Sequence, residues 1–314
     1  METLLKTEHL KKYYYGRKRV VRAVDDVSLN VEKGRSLALI GESGSGKTTF
    51  GKLIACLEKP TGGSFCFNNT PLQGMKEKQL RPLRRNLQMV FQSSSGVFDP
   101  TYTIGDSIRE VMLNYETLPA AELEDRVDGV LREVGLDPAL KNRYVSQISG
   151  GQCQRANIAR ALILRPKLVI CDEPVSSLDY SIRKQILILL NEIQEKNDVT
   201  YLLITHDLSN VPYLCQSVAI MYQGKVVEQL DHTDSLLQNV VHPYTKKLFD
   251  SIPVADPTRR TIGRGLPSVP TVARPADRGC AYQNRCERCS SRCREEAPLL
   301  REVEAGHLAA CHSI

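Results

Sequence analysis

Nine consecutive residues, Gly41 to Thr49 (GESGSGKTT), fit the pattern G-x-x-x-x-G-K-[ST]. Glycines at 41, 44 and 46 let successive backbone N–H groups curl around phosphate oxygens without a Cβ in the way, and Ser43 and Ser45 lie between them. Lys47 reaches the terminal phosphates, the Thr48 hydroxyl suits Mg²⁺, and Thr49 leads into a helix whose positive end faces the anion. A second group closes the apolar run Leu168-Val-Ile-Cys, which ends in the carboxylates Asp172 and Glu173. Strand ends are where a parallel sheet presents ligand groups. There Asp172 can hold Mg²⁺, usually through water, and Glu173 can polarise an attacking water. An apolar strand ending in Asp-Glu is by itself as often structural as functional; beside the Lys47 loop it reads as a nucleoside-triphosphate hydrolysis site.

Such groups need a frame. Residues 4–10 and 24–31 read as strands, and 36–40 is a compact apolar strand entering the glycine loop. Helical spacing follows over 46–57, then a turn at 59–63. Strand, glycine loop and helix together open a P-loop domain. Residues 104–115, 120–134 and 152–164 have helical periodicity, and strand signals return at 168–171, 200–204 and 217–221. Over 181–195 the spacing predicts an amphipathic helix with Ile182, Ile186, Leu189, Leu190 and Ile193 inward. Alternating strands and helices imply an α/β fold with a largely parallel sheet covered on both faces. From about Pro253 the chain is richer in Pro, Gly and Arg, marking a small C-terminal module.

Composition narrows the function. At 314 residues, 41% hydrophobic and 25% charged, the chain is long enough for a large core and an appendage. Its longest apolar runs, such as 186–190, fall far short of the roughly 18 residues that span a bilayer. The N-terminus has no secretory apolar region, so a cytosolic chain is expected, with any membrane role exercised through partners. The net charge of +6, with basic clusters at 11–12, 17–19 and 81–85, is too weak a bias for a nucleic-acid binder. Ten cysteines divide unevenly: Cys280, Cys286, Cys289, Cys293 and Cys311 crowd the C-terminal end, which in a reducing compartment suggests metal more than disulfides.

Further motifs carry a resemblance. Ile148-Ser-Gly-Gly-Gln-Cys-Gln-Arg155 resembles the signature of ATP-binding-cassette (ABC) proteins, departing mildly at Ile148 and Cys153. Gln92 resembles that family's Q-loop glutamine, which senses Mg²⁺ and the attacking water. Residues 176–179 resemble its D-loop, and His206 its switch histidine on the γ-phosphate. Tyr13 is the expected adenine-stacking aromatic, with Tyr14 and Tyr15 leaving the register open. The resemblance implies a P-loop NTPase (RecA-like) core with an antiparallel β subdomain (1–95 and 159–234), an inserted α-helical subdomain (96–158) and a small Cys-containing C-terminal module (235–314). It implies an ATPase that binds ATP and Mg²⁺, two cassettes closing head-to-tail so that Ser149, Gly150, Gly151 and Gln152 of one grip the γ-phosphate held by the other.

The tail resembles one branch, the oligopeptide/dipeptide/nickel importers, through residues 242–248, 265–270, 279–286, 293, 298–300, 306–307 and 311–312. That branch implies a second, distinct cassette (a homodimer being the alternative), two integral membrane permease subunits and, indirectly, an extracytoplasmic binding protein. It places the chain peripherally on the cytoplasmic face of the inner membrane, without nucleic acid. Cys280, Cys286, Cys293 and Cys311 fit its cysteine pattern, so a [4Fe–4S] cluster, Zn²⁺ or a metal-free tail stay open. Peptides are the default solute; nickel, metal–chelator complexes and sugars stay open, as does a soluble cassette protein outside transport. One outcome tests the loop directly: Lys47→Ala weakens ATP binding about tenfold or more in an equilibrium titration, and unchanged affinity removes Lys47 from the site.

Overall fold

The computed structural model describes residues 2–16, 19–93, 95–233, 239–250 and 278–314. The 265–270 motif and the boundary near Pro253 lie outside these residues. The chain opens with β1 (Thr3–Tyr15), β2 (Val20–Val27) and β3 (Asn30–Glu32). β4 (Leu37–Ile40) then runs into the glycine loop and α1 (Lys47–Ile54). After β5 (Gly62–Phe67), β6 (Thr70–Pro71) and α2 (Glu77–Arg84) comes β7 (Leu87–Val90). A helical block follows: α3 (Ile104–Leu113), α4 (Ala120–Glu133) and α5 (Gly150–Leu162). The sheet resumes with β8 (Leu168–Asp172), α6 (Tyr180–Asn197), β9 (Thr200–Thr205), β10 (Ser217–Tyr222) and β11 (Lys225–Leu230). The tail adds α7 (Pro243–Asp250), α8 (Ser291–Glu295), β12 (Arg301–Glu304) and β13 (His307–Ala309).

Two sheets result. One has the order β2-β1-β5-β6, with β3 also on β1, and its pairings are antiparallel. The other has the order β12-β13-β11-β10-β4-β9-β8-β7; the five strands from β10 to β7 run parallel and β11, β13 and β12 are antiparallel. Alternate residues of the parallel strands enter different cores. Leu168, Ile170, Leu202 and Ile204 pack with Phe50, Leu53 and Ile54 of α1 and with the antiparallel sheet. Val169, Cys171, Tyr201 and Leu203 pack with Ile186, Leu187, Leu190 and Ile193 of α6 and with the helical block. Burial on both faces is why these strands read as unbroken apolar runs.

Several expectations shift. The 24–31 strand is two, β2 and β3, because Ser28 and Leu29 turn the chain onto β1. Helix 46–57 ends at Ile54, where Cys56 turns left-handed at φ 55°. α2 gave no apolar signal: it contains Pro82 and buries none of its residues. The tail is also more than an appendage, since β13 pairs with β11 and extends the central sheet. That junction is closed by Glu228, which is fully buried. Its carboxylate accepts from His307 Nε2 at 2.8 Å and from the backbone N–H of Val241 at 2.7 Å.

Among the described residues, no helix is long and apolar enough to cross a membrane. The fully buried Tyr201 hydroxyl has no hydrogen-bond partner among them. An unpaired buried hydroxyl costs free energy, so Tyr201→Phe is neutral to about 1 kcal/mol stabilising. A thermal melt of the variant checks this; a lower melting temperature would mean that the hydroxyl has a partner.

Candidate active site

The phosphate loop is built by close backbone approach. A Cβ on Gly41 would lie 2.1 Å from the Met221 carbonyl oxygen of β10, and one on Gly46 would lie 1.9 Å from that of Ala23 in β2. Gly44 and Gly46 have φ of 78° and 105°, the left-handed region that favours glycine. The Gly224 N–H donates to the Ser45 carbonyl at 2.8 Å and holds the loop from the β10–β11 turn. Lys47 is buried, and its ammonium donates to the Gly41 and Glu42 carbonyls at 2.7 and 2.9 Å. Burial lowers its pKa, against the opposing fields of Glu173, Asp172 and Glu42. A cation held on loop carbonyls is loaded for an anion to capture.

Opposite it, the Thr48 hydroxyl donates to Asp172 Oδ1 at 3.0 Å, bridging α1 and the end of β8. Burial pushes the Asp172 carboxyl above its usual range, the Thr48 hydrogen bond opposes this, and the neighbouring Glu173 adds to it. A hydroxyl and a desolvated carboxylate already in contact are the donor set that fits Mg²⁺, whose charge would relieve the desolvation. Glu173 has φ 48°, an uncommon conformation for a non-glycine residue, held by its N–H on the Ile204 carbonyl at 2.9 Å. Its carboxylate meets His206 Nδ1 at 2.8 Å, the imidazole itself being about half exposed at the end of β9. Four side chains from α1, β8 and β9 therefore line one edge of the phosphate loop.

The remaining predicted residues are placed apart. Gln92 is exposed just beyond β7. Ser149 caps α5: its hydroxyl accepts from the Gln152 N–H at 3.3 Å while its own N–H donates to Gln152 Oε1 at 2.9 Å. Ser149 and Gly150 are exposed, so the positive end of α5 opens outward. Gly151 lies against Ile182 of α6. The three tyrosines diverge. The Tyr13 hydroxyl donates to Asp25, the Tyr14 hydroxyl donates to Glu58, and Tyr15 is exposed.

Sequence reasoning missed the environment of Glu42, an unspecified position of the motif. Its N–H donates to the Tyr244 hydroxyl at 2.9 Å, and its carboxylate takes both Arg285 terminal nitrogens at 2.8 and 3.1 Å. Tyr244 and Arg285 lie inside the tail motifs, but only the fold brings them to the loop. The tail cysteines are close enough for Cys280 and Cys286 each to feel Cys293 and Cys311 electrostatically. Among the described residues, however, no group of three or more His, Cys, Asp or Glu side chains is arranged to hold a metal ion. The Cys293 thiol instead contacts the Ser290 hydroxyl at 3.4 Å, and Cys311 Sγ accepts from the Ser313 N–H.

This arrangement has relatives. Residues 24–176 match the family model "ABC transporter", and residues 227–293 match "Oligopeptide/dipeptide transporter, C-terminal region". The chain is 41% identical to "Probable peptide ABC transporter ATP-binding protein y4tS" of Sinorhizobium fredii, over 99% of this chain and 90% of that protein. It is 39% identical to "Oligopeptide transport ATP-binding protein AppF" of Bacillus subtilis, over 99% and 97%. Among solved structures, the ATP-binding cassette MJ0796, a dimer bound to ADP and Pi, superposes with TM-score 0.66 at 28% identity, over 72% of this chain and 97% of that one. CbiO1 of Clostridium perfringens, part of the transporter complex cbiONQ, gives TM-score 0.65 at 30% identity, over 73% and 88%. Such similarity over almost the whole length places the chain plainly: it belongs to the ATP-binding ATPase subunits of ABC transporters, in the branch that carries the oligopeptide/dipeptide C-terminal region.

Proposed function

We propose that this ATPase energises import of di- or oligopeptides, as one of two cassettes that close on ATP beneath two membrane permease subunits. The observation that carries the catalytic part is the unbroken line Thr48–Asp172–Glu173–His206 beside Lys47. The peptide assignment is supported by the tail region and by relatives named for peptide transport. Nickel or metal–chelator import is the alternative within the branch.

In this reading Lys47 leaves the Gly41 and Glu42 carbonyls for the terminal phosphates of ATP. Thr48 and Asp172 would hold Mg²⁺, which supplies charge neutralisation and orientation of the γ-phosphoryl group. Glu173 accepts the proton of the attacking water, and His206 fixes the carboxylate while its exposed edge faces the γ-phosphate. Gln92 reports occupancy of the site from the end of β7. The exposed α5 terminus, with Ser149, Gly150, Gly151 and Gln152, closes the γ-phosphate site of the opposing cassette, because an outward-facing helix N-terminus is an anion site in want of an anion. Gly41, Ser43, Gly44, Ser45, Gly46 and Thr49 surround the phosphates. Tyr13 stacks on adenine, with Tyr14 the alternative: the Tyr13 hydroxyl sits on Asp25, whose N–H donates to the Gly224 carbonyl beside the phosphate loop.

The partners follow from surfaces. A cleft of about 240 Å³ lies between α1, β7 and the helical block, lined by Leu57, Phe91, Val111, Tyr115 and Arg160. Arg84 Nε, Asn157 Nδ2 and Arg160 Nε in its wall are buried without partners among the described residues. A permease loop with apolar side chains and free carbonyl groups suits it, and Gln92 adjoins it one residue from Phe91. The chain is then peripheral on the cytoplasmic face of the membrane, and its second cassette is a related chain or a second copy. A metal on Cys280, Cys286, Cys293 and Cys311 is supported only by four thiols in one small module. Iron, sulfide and zinc analysis of anaerobically purified protein decides it, and substoichiometric metal leaves the tail metal-free.

Glu173→Gln keeps ATP binding, lowers turnover about a hundredfold or more and traps an ATP-dependent dimer by size-exclusion chromatography. Wild-type turnover in that variant would remove Glu173 as the base. In the assembled complex, Tyr115→Glu in the cleft releases the permease while the free subunit still binds ATP. Retained permease would place the contact elsewhere.

A further inference from the structure

Glu42 is held at three points. Its carbonyl accepts from the Lys47 ammonium at 2.9 Å, its N–H donates to the Tyr244 hydroxyl at 2.9 Å, and its carboxylate is gripped by both Arg285 terminal nitrogens. Two of these three holds come from the tail, more than 200 residues away in sequence (|i−j| of 202 and 243). The clamp is itself rigid. Tyr222, the last residue of β10, packs its ring against Tyr244 at 4.6 Å and against Tyr282 edge-on at 5.2 Å, and all three side chains are buried. The Arg285 guanidinium lies 6.0 Å from the Tyr222 ring and 5.9 Å from the Tyr282 ring, so its plane is fixed by aromatic faces before it meets the carboxylate.

We propose that Tyr244 and Arg285 are positioning residues of the nucleotide site: they fix the Glu42 peptide of the phosphate loop and neutralise its carboxylate, and so set the affinity for ATP. Chemistry supplies the reason. A triphosphate enters a loop that already contains a carboxylate, and an unpaired Glu42 would repel it and compete for Lys47, whose ammonium it already influences. A bidentate guanidinium cancels that charge without occupying the anion site. The buried Tyr244 hydroxyl accepts from the Glu42 N–H and so fixes the plane of that loop peptide, whose carbonyl in turn holds the Lys47 ammonium. The tail is therefore part of the nucleotide site, beyond its place in the sheet. The inference rests on the ATPase reading and deepens it.

Steady-state ATPase kinetics and equilibrium titration with MgATP on the full-length chain test this. Arg285→Ala raises KM and Kd for ATP about fivefold with kcat changed less than about twofold, the size expected for a partly exposed bidentate pair. Arg285→Lys recovers part of the loss. Glu42→Gln in the Arg285→Ala background also recovers affinity, because the uncompensated charge is gone. Tyr244→Phe, which keeps the ring and deletes only the hydroxyl, raises KM by itself. Unchanged ATP affinity in Tyr244→Phe and in a folded Arg285→Ala overturns the inference, as does a lower melting temperature with no shift in KM, the mark of a mere staple. If Arg285→Ala does not fold, Tyr244→Phe and Arg285→Lys decide. A wild-type chain that takes up no MgATP would instead overturn the nucleotide site itself.

Discussion

The molecule is organised around a loop that has no room for a β carbon at two of its positions. Gly41 rests against the Met221 carbonyl of β10, and Gly46 against the Ala23 carbonyl of β2. Those two contacts press the phosphate loop between the parallel sheet and the antiparallel sheet, so the relative placement of both layers is fixed at the point where phosphate binds. The parallel order β10-β4-β9-β8 then brings the ends of three strands to the loop: β8 delivers Asp172 and Glu173, β9 delivers His206, and β10 delivers Tyr222. The loop and side chains more than a hundred residues beyond it, such as Thr48 and Asp172, thus converge because neighbouring parallel strands end on the same side.

Buried charge is handled locally. Lys47 and Asp172 are both desolvated, and each has an immediate partner, loop carbonyls for the cation and the Thr48 hydroxyl for the anion. Neither partner is an opposite charge, so each group is held in place by ordinary hydrogen bonds to a neutral neighbour. Glu173 and His206 meet one step further from the core, where the imidazole is open to solvent. The α5 terminus is different: its capping box of Ser149 and Gln152 is complete, yet Ser149 and Gly150 are exposed.

Much of this was legible in the sequence, and the reason is local. The loop from Gly41 to Thr49, the Asp172-Glu173 strand end and the Ser149 cap are each defined within a few residues, where glycine, apolar run and capping box have direct physical meanings. The parallel strands read correctly because burial on both faces makes them continuous apolar runs. What was not legible depends on long-range pairing. No pattern in residues 307–309 announces that they add to β11, because the strand is only three residues long. Nothing near Glu42 points to Tyr244 or Arg285. The three consecutive tyrosines are alike in the sequence, and only the fold ties Tyr13 to Asp25 and Tyr14 to Glu58. The cysteine spacing raised an expectation of metal that the described side chains do not arrange themselves to meet.

Fold, site and relatives converge on an ATPase that works beneath a membrane permease. Affinity purification of the tagged chain from solubilised native membranes, with mass spectrometry of what accompanies it, tests that most directly. The expected result is recovery with two integral membrane proteins and a second cassette, either a related chain or another copy. Recovery from the soluble fraction, alone or with ribosomes, would contradict it.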